Sequence, residues 1–225
     1  MGRTVSDLLR ERGAATWSAA VGHPMVAEIG AGSLPHETFR YYFEQNVRYL
    51  EDYARAIALL IAHADRRADI TVLTRFLRQI VDTELPANCS FLTRLGGRDR
   101  APVAATTYAY TRHLLDCAGR GDLATGLAAV LPCQWSYAEL AAPLAAALPA
   151  DPVYAEWIAM FAGEGYDELV QASTGLLDRR AAGSDEARLA GLAAVFDRST
   201  GYELAFWDMA YTSGQSDERR NPAAR

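Results

Sequence analysis

The sequence is poor in cysteine, and its few cysteines are widely spaced. Three occur among 225 residues, without a Cys-x-x-Cys pair, at Cys89, Cys117 and Cys133. An odd number of isolated thiols does not form a disulfide framework and is typical of proteins in a reducing compartment. No uncharged apolar run approaches the roughly 18 residues of a membrane-spanning helix, and the charged first ten residues contain no signal-peptide core. We therefore expect a cytoplasmic protein without a membrane anchor.

Positive charge is scarce relative to negative charge. Lysine and arginine together number 22, against 28 aspartates and glutamates, and the net charge is −6. Nucleic-acid-binding proteins are expected to carry a basic patch, so this class is disfavoured. The four histidines form no His-x-x-x-His or Glu-x-x-His pair, and no glycine-rich phosphate loop is present. The sequence thus predicts neither a metal centre nor a common nucleotide-binding site.

Hydrophobic residues, by contrast, make up half of the chain, while charged residues make up 22%. This composition supports a sizeable core within one domain, predicted at 1–212, followed by a disordered tail at 213–225. Hydrophobic periodicity is helical throughout, which predicts an all-α bundle of seven to eight helices. The predicted helices span about 5–20, 36–63, 68–95 (kinked at Pro86), 104–118, 122–130, a segment beginning at 132, 151–177 and 184–211.

The stretch around Cys133 resembles a break between two helices. Pro132 is tolerated in the first turn of a helix and is expected to begin one there. Cys133 would then lie where the helix dipole favours a thiolate, with Tyr137 one turn further along the same face. The thiol is a candidate nucleophile. The alternative is an inert cysteine in the core.

Polar residues on otherwise apolar helical stripes give further candidates, because burying them without partners is unfavourable. Asn46 lies in the apolar stripe of the long helix, where its side chain either faces a ligand or bonds to a neighbouring tyrosine. Glu203 lies in the seam of the last helix, where desolvation would raise its pKa toward that of a useful acid or base, unless an arginine pairs with it. Tyr110 shares one side of its helix with Leu114 and Cys117, a position that by itself favours core packing over a role in a site. A thiol, a carboxylate, an amide and many phenols suit an uncharged aromatic ligand.

Several motifs, in order and with similar spacing over about residues 15–212, make the sequence similar to the TenA family, also called thiaminase II. They are His23-Pro24, Gly32 to Phe39, Gln45 to Leu50, Leu131 to Tyr137, Tyr154 to Ile158 and Glu203 to Ala210. The resemblance implies a haem-oxygenase-like all-α bundle, a homotetramer and no cofactor. It also implies hydrolysis of thiamin-derived aminopyrimidines, converting aminomethyl-pyrimidine to hydroxymethyl-pyrimidine, and slower cleavage of thiamin itself.

The resemblance also assigns roles to individual residues. Cys133 matches the family nucleophile, which adds to the pyrimidine ring, and Glu203 matches the acid/base carboxylate. Tyrosines around the substrate correspond to Tyr49, Tyr110 and Tyr137. The cysteine places the chain in the cysteine-bearing branch of the family.

Two positions depart from the family pattern. Asn46 replaces an aspartate, and Phe161 replaces a tyrosine. An amide offers one acceptor and one donor, so it matches an aminopyrimidine edge or, flipped, a lactam edge. It lacks the charge that favours protonation of the ring. Three hypotheses follow: a hydrolase of aminopyrimidines, an enzyme of specialised metabolism acting on another heteroaromatic ring, or a protein that binds a pyrimidine without turnover.

Overall fold

The computed structural model describes residues 3–98, 100–120 and 122–220, with side chains described up to residue 213. This part of the chain contains no β-strand, so the all-α prediction is confirmed. The helices are α1 Val5–Arg12, α2 Ala14–Val21, α3 Pro24–Ala31, α4 His36–His63, α5 Arg67–Arg78, a π-helical segment Gln79–Glu84, α6 Leu85–Arg94, α7 Ala105–Gly119, α8 Leu123–Leu144, α9 Pro152–Phe161, α10 Glu164–Arg180 and α11 Glu186–Arg220.

Helices α4 and α8 form the centre of the bundle. α4 packs against α5, α6, α7, α8 and α11, and α8 packs against α7, α10 and α11. Both central helices are buried along most of their length, since α4 carries a wide aromatic face and α8 is rich in alanine and leucine. The core of the bundle, and with it the site described below, lies between these two helices and α11.

The N-terminal helices are more divided than the sequence predicted. Gly13 ends α1 and begins α2 with φ −97° and ψ 17°, where a single helix over 5–20 was expected. Thr4 caps α1, since its side chain accepts from the Asp7 N–H in a capping box. Helix α3, whose first residue is a proline, lies between the predicted helices 5–20 and 36–63, where no helix was predicted.

The C-terminal half shows two further differences. The predicted helix 151–177 is divided between α9 and α10, because Gly163 adopts an extended conformation (φ −98°, ψ 150°) rather than bending a continuous helix. The last helix continues to Arg220, beyond the predicted end near residue 211. The first part of the predicted tail is therefore helical, and residues 221–225 lie outside the described residues.

Helix α8 corrects the predicted break at Pro132. The helix runs without interruption from Leu123 to Leu144 and contains Pro132 in its interior. Proline there removes one backbone hydrogen bond, but nearly every neighbouring side chain is buried, and tertiary packing holds the helix together. The Tyr53 hydroxyl of α4 donates to the nearby carbonyl of Val130 at 2.7 Å, which adds a side-chain bond beside the proline.

The irregularity predicted at Pro86 takes the form of the π-helical segment that precedes it. Leu85 N–H donates to the carbonyl of Ile80, five residues back. Pro86 occupies the first turn of α6, where its missing N–H is tolerated. Such π-helical turns are frequent at functional sites.

Gly126 allows α8 to approach α4 and α7 closely. A Cβ at this position would lie 2.2 Å from Leu60 Cδ2 and 3.4 Å from Ala118 Cα, and both neighbours are fully buried. We expect Gly126→Ala to lower the free energy of unfolding by about 1–3 kcal/mol through overpacking. Urea denaturation measures this, with Gly191→Ala as control: Gly191 lies in α11 with open space around it, so alanine there should stabilise by up to about 1 kcal/mol. An unchanged stability in Gly126→Ala would contradict the close approach.

Candidate active site

A thiol and a carboxyl group meet in the core between α8 and α11. Cys133 is 9% exposed and Glu203 is 4% exposed. The Tyr110 hydroxyl of α7 donates to Glu203 Oε1 at 2.6 Å, and the Cys133 thiol is also a hydrogen-bond partner of this carboxyl group. Desolvation raises the pKa of Glu203 from 4.5 to about 7, although the hydrogen bonds from Tyr110 and Cys133 oppose the shift. At neutral pH both protonation states of Glu203 are populated.

The electrostatic environment of Cys133 differs from the predicted one. The uninterrupted α8 places the thiol in mid-helix, away from the N-terminal end of the dipole that was expected to favour a thiolate. Burial raises the pKa of the thiol well above 9.0, the charge of Glu203 raises it further, and a hydrogen bond from Tyr49 opposes the shift. The thiol therefore holds its proton, and Glu203 is a base positioned to accept it.

Buried phenols surround this pair. The ring of Tyr49 lies 5.0 Å from that of Tyr110, and the hydroxyl groups of Tyr137 and Tyr42 are 2.9 Å apart. Burial raises the pKa of Tyr49, Tyr110 and Tyr137 well above 10.0, so each remains a neutral donor. The Tyr49 hydroxyl is buried without a hydrogen bond of standard geometry in the described part of the chain.

Asn46 bonds to a second amide rather than to a tyrosine. Its Nδ2 donates to Asn88 Oδ1 of α6 at 2.9 Å, and Asn88 Nδ2 donates to the carbonyl of Glu84 at 2.7 Å. Glu203, the other buried polar residue in question, has Tyr110 and Cys133 as its partners instead of the arginine considered above.

Phe161 lies at the end of α9, behind Tyr137. The two rings are 4.8 Å apart in a T-shaped arrangement, and Phe161 also contacts Trp157 and Tyr166. It is buried against these three aromatic side chains and contacts the site through Tyr137. The structure brings Cys133, Glu203 and the three predicted tyrosines together, whereas Phe161 reaches this group only through Tyr137 and Asn46 bonds to Asn88.

Sequence reasoning missed three residues here: Tyr42, Glu84 and Asn88. Desolvation raises the pKa of the buried Glu84 from 4.5 to about 8, and its charge is among the influences on Cys133. The sequence pattern could have identified Glu84 and Asn88, because both continue an inward-facing series of residues formed by Leu73, Phe76 and Ile80. The residues in this series are mostly four apart, and the π-helical segment lies within it.

Over the described ranges 3–98, 100–120 and 122–220, no group of three or more histidine, cysteine, aspartate or glutamate side chains is arranged to hold a metal ion. In the same ranges no helix is both long enough and apolar enough to span a bilayer.

Comparison with known proteins places the chain in a family. A model described as the TENA/THI-4/PQQC family matches residues 11–213. An aminopyrimidine aminohydrolase of Halalkalibacterium halodurans is 35% identical over 209 residues, covering 90% of this chain and 93% of that protein. A solved TenA homologue from P. horikoshii is 29% identical with a TM-score of 0.83, covering 93% of this chain and 99% of the other.

A more distant structure concerns the fold alone. A domain of unknown function with a heme oxygenase-like fold from Shewanella denitrificans is 11% identical, has a TM-score of 0.72, and covers 96% of this chain and 95% of its own. The match over residues 11–213 and the 35% identical relative establish that the chain belongs to the TENA/THI-4/PQQC family as a TenA-like member, and its fold is the haem-oxygenase-like all-α fold.

Proposed function

We propose that the chain is a hydrolase that removes an amino group from an aminopyrimidine of thiamin salvage, with aminomethyl-pyrimidine as substrate and hydroxymethyl-pyrimidine as product. The buried contact among Cys133, Glu203 and Tyr110 carries this proposal. The aminopyrimidine aminohydrolase related over 90% of the chain supports it. The enzyme works in the cytoplasm, a reducing compartment in which cysteine side chains remain thiols.

The proposed reaction begins with the transfer of the thiol proton from Cys133 to the Glu203 carboxylate. The sulfur then forms a bond to a ring carbon of the pyrimidine, and the displaced π electron pair moves to the adjacent ring nitrogen. That nitrogen takes a proton from solvent, which it releases again when the aromatic ring is restored. Glu203 then gives the proton received from Cys133 to the amino group of the substrate. The amino group departs as ammonia, and an exocyclic methylene remains on the ring. Water adds to that methylene and the carbon–sulfur bond breaks, which restores the thiol and the aromatic ring.

Two features of the site support binding of a polar aromatic ring. The Tyr49 hydroxyl is buried beside Cys133 and Tyr110, with which it makes only hydrogen bonds of non-standard geometry, so a ring nitrogen of the substrate would satisfy it better. The neighbouring rings of Tyr110 and Phe206 provide flat apolar surfaces at 5.0 and 5.9 Å from Tyr49.

The neutral amide of Asn46 favours a second candidate function, that of an enzyme acting on a different heteroaromatic ring. The amide provides no negative charge to stabilise a protonated ring nitrogen, and Phe161 adds no hydroxyl beside Tyr137. Steady-state release of ammonia from aminomethyl-pyrimidine, with thiamin as the second substrate, distinguishes the two. Hydrolysis supports the salvage reaction. If the protein binds the ring but releases no ammonia, it is a binding protein. If it shows neither binding nor release, an enzyme acting on a different heteroaromatic ring is favoured.

Large apolar side chains on the surface support an assembly of several copies. They are Ile70, Val81, Val103, Tyr108 and Leu148, and the last two are 59% and 50% exposed. We expect a homo-oligomer of closed point symmetry, and the resemblance to the TenA family implies that it is a tetramer. Light scattering at micromolar concentration should return about four times the chain mass of 24.5 kDa. A single-chain mass at that concentration would overturn the assembly.

A further inference from the structure

The amide groups of Asn46 and Asn88 form a relay that ends on a backbone carbonyl. A carbonyl oxygen only accepts hydrogen bonds, so the atom of Asn88 that lies 2.7 Å from the Glu84 oxygen is its Nδ2. The Oδ1 of Asn88 consequently faces Asn46, which must turn its own Nδ2 toward it, at 2.9 Å. The direction of both amides thus follows from the one fixed acceptor.

The relay leaves Asn46 Oδ1 on the side of the amide away from Asn88. This oxygen accepts no hydrogen bond from the described residues, and Asn46 retains 6% exposure. Asn46 lies one turn after Tyr42 and one turn before Tyr49 on the same face of α4. Both tyrosines contact the site, through Tyr137 and Tyr110 respectively.

We infer that Asn88 is a positioning residue, which holds Asn46 as a hydrogen-bond acceptor of fixed direction, so that the ligand presents an amino N–H at this point rather than a ring carbonyl. This inference rests on the proposed function and selects between the two edges that a freely rotating amide would match. The lactam edge is disfavoured because its carbonyl would face Asn46 Oδ1, acceptor against acceptor, in a desolvated site.

The relay also links the residue types at positions 46 and 88. An ionised aspartate at position 46 would turn an acceptor toward Asn88 Oδ1. Rotating Asn88 to donate to it would place the Asn88 oxygen against the Glu84 carbonyl. An asparagine at 88 is therefore matched to a neutral donor at 46.

Binding of two related rings tests this positioning role without requiring turnover. The probes are a methylated aminopyrimidine and the corresponding pyrimidinone, in which a ring carbonyl replaces the amine, and calorimetry gives their Kd values. The wild type should prefer the amine by about tenfold or more, since a mismatched buried polar group costs that much. In Asn88→Leu the amide of Asn46 rotates freely, so the preference should fall to about threefold or less.

Two further variants make the result specific. Asn88→Ser retains a hydroxyl able to donate to the Glu84 carbonyl one turn back but is too short to reach Asn46, so it should lose the preference even if Asn88→Leu does not fold. Gln45→Leu is the matched control. Gln45 is a buried amide bonded to the Pro102 carbonyl and to Thr107, and its loss should leave the preference intact.

The outcomes separate this inference from the proposed function. A full preference for the amine in folded Asn88→Leu or Asn88→Ser would overturn the positioning role, as would equal binding of the two rings by the wild type. Either result leaves the proposed hydrolase standing. A wild type that binds neither ring would overturn both.

Discussion

Replacing Cys133 with serine is expected to lower the rate of ammonia release from aminomethyl-pyrimidine by at least about 10⁴-fold, the scale on which enzymes lose activity with their nucleophile. A serine hydroxyl holds its proton far more tightly than a thiol does. Glu203, with a pKa raised to about 7, is too weak a base to remove it. The oxygen also fits the space of the sulfur, so the fold and the binding of substrate should persist.

Cys117→Ser is the matched control for this substitution. Cys117 is likewise buried, but it lies on α7 beside His113, 3.8 Å from its Nδ1, and takes no part in the proposed chemistry. Its variant should keep the wild-type rate. If Cys133→Ser kept more than about a tenth of the wild-type kcat, a loss of under 1.4 kcal/mol in transition-state stabilisation, covalent catalysis through this residue would be wrong.

Glu203→Gln is expected to lower kcat by about 10²- to 10⁴-fold, because general acid–base catalysis contributes on that scale. Glutamine keeps an oxygen that accepts from Tyr110 but neither receives the thiol proton nor protonates the departing amine. The pH dependence of the wild-type rate should reflect a group with a pKa of about 7, and that dependence should be absent from the residual rate of the variant. Glu44→Gln is the control, since Glu44 is a buried carboxyl group that accepts from the Arg98 N–H outside the site.

The same variant should also be more stable at alkaline pH. The folded protein binds more protons at Glu203 than the unfolded chain does between pH 4.5 and about 7, so the stability from this group falls as pH rises through that range. A glutamine at this position does not titrate, so the variant lacks this pH dependence of stability. The stability advantage of Glu203→Gln over the wild type should be small at pH 4.5 and reach the order of 3 kcal/mol above pH 7. Denaturation midpoints across this range measure it, and a constant difference would show that the carboxyl group titrates normally.

The long helix α4 was predictable from sequence because its signals agree. A proline precedes it, a glutamate lies in its first turn, and an apolar stripe of period 3.6 runs along it; the predicted bounds, His36 to His63, are those of the structure. Asn46 and Glu203 were found by one criterion, a polar side chain on an apolar stripe, and both are buried in the structure. Local pattern and tertiary packing coincide at these positions.

Prediction failed where packing overrides a local rule. Proline ordinarily interrupts a helix, yet Pro132 lies inside α8 because the neighbouring buried surface outweighs one lost hydrogen bond. The thiol of Cys133 was consequently assigned the wrong electrostatic environment. Asn88 was missed because the π-helical segment changes the period of the stripe that leads to it. The bond between Asn46 and Asn88 joins residues 42 positions apart, beyond the reach of any local pattern.

The burial of the site also governs how fast small molecules enter and leave it. Even Cys133, the most exposed of the residues predicted to act there, is only 9% accessible. A ring the size of a pyrimidine therefore reaches the thiol only when the surrounding helices or side chains separate, a motion that typically takes microseconds to milliseconds. Association is then limited by the frequency of opening rather than by diffusion, and a ligand once enclosed dissociates slowly for the same reason.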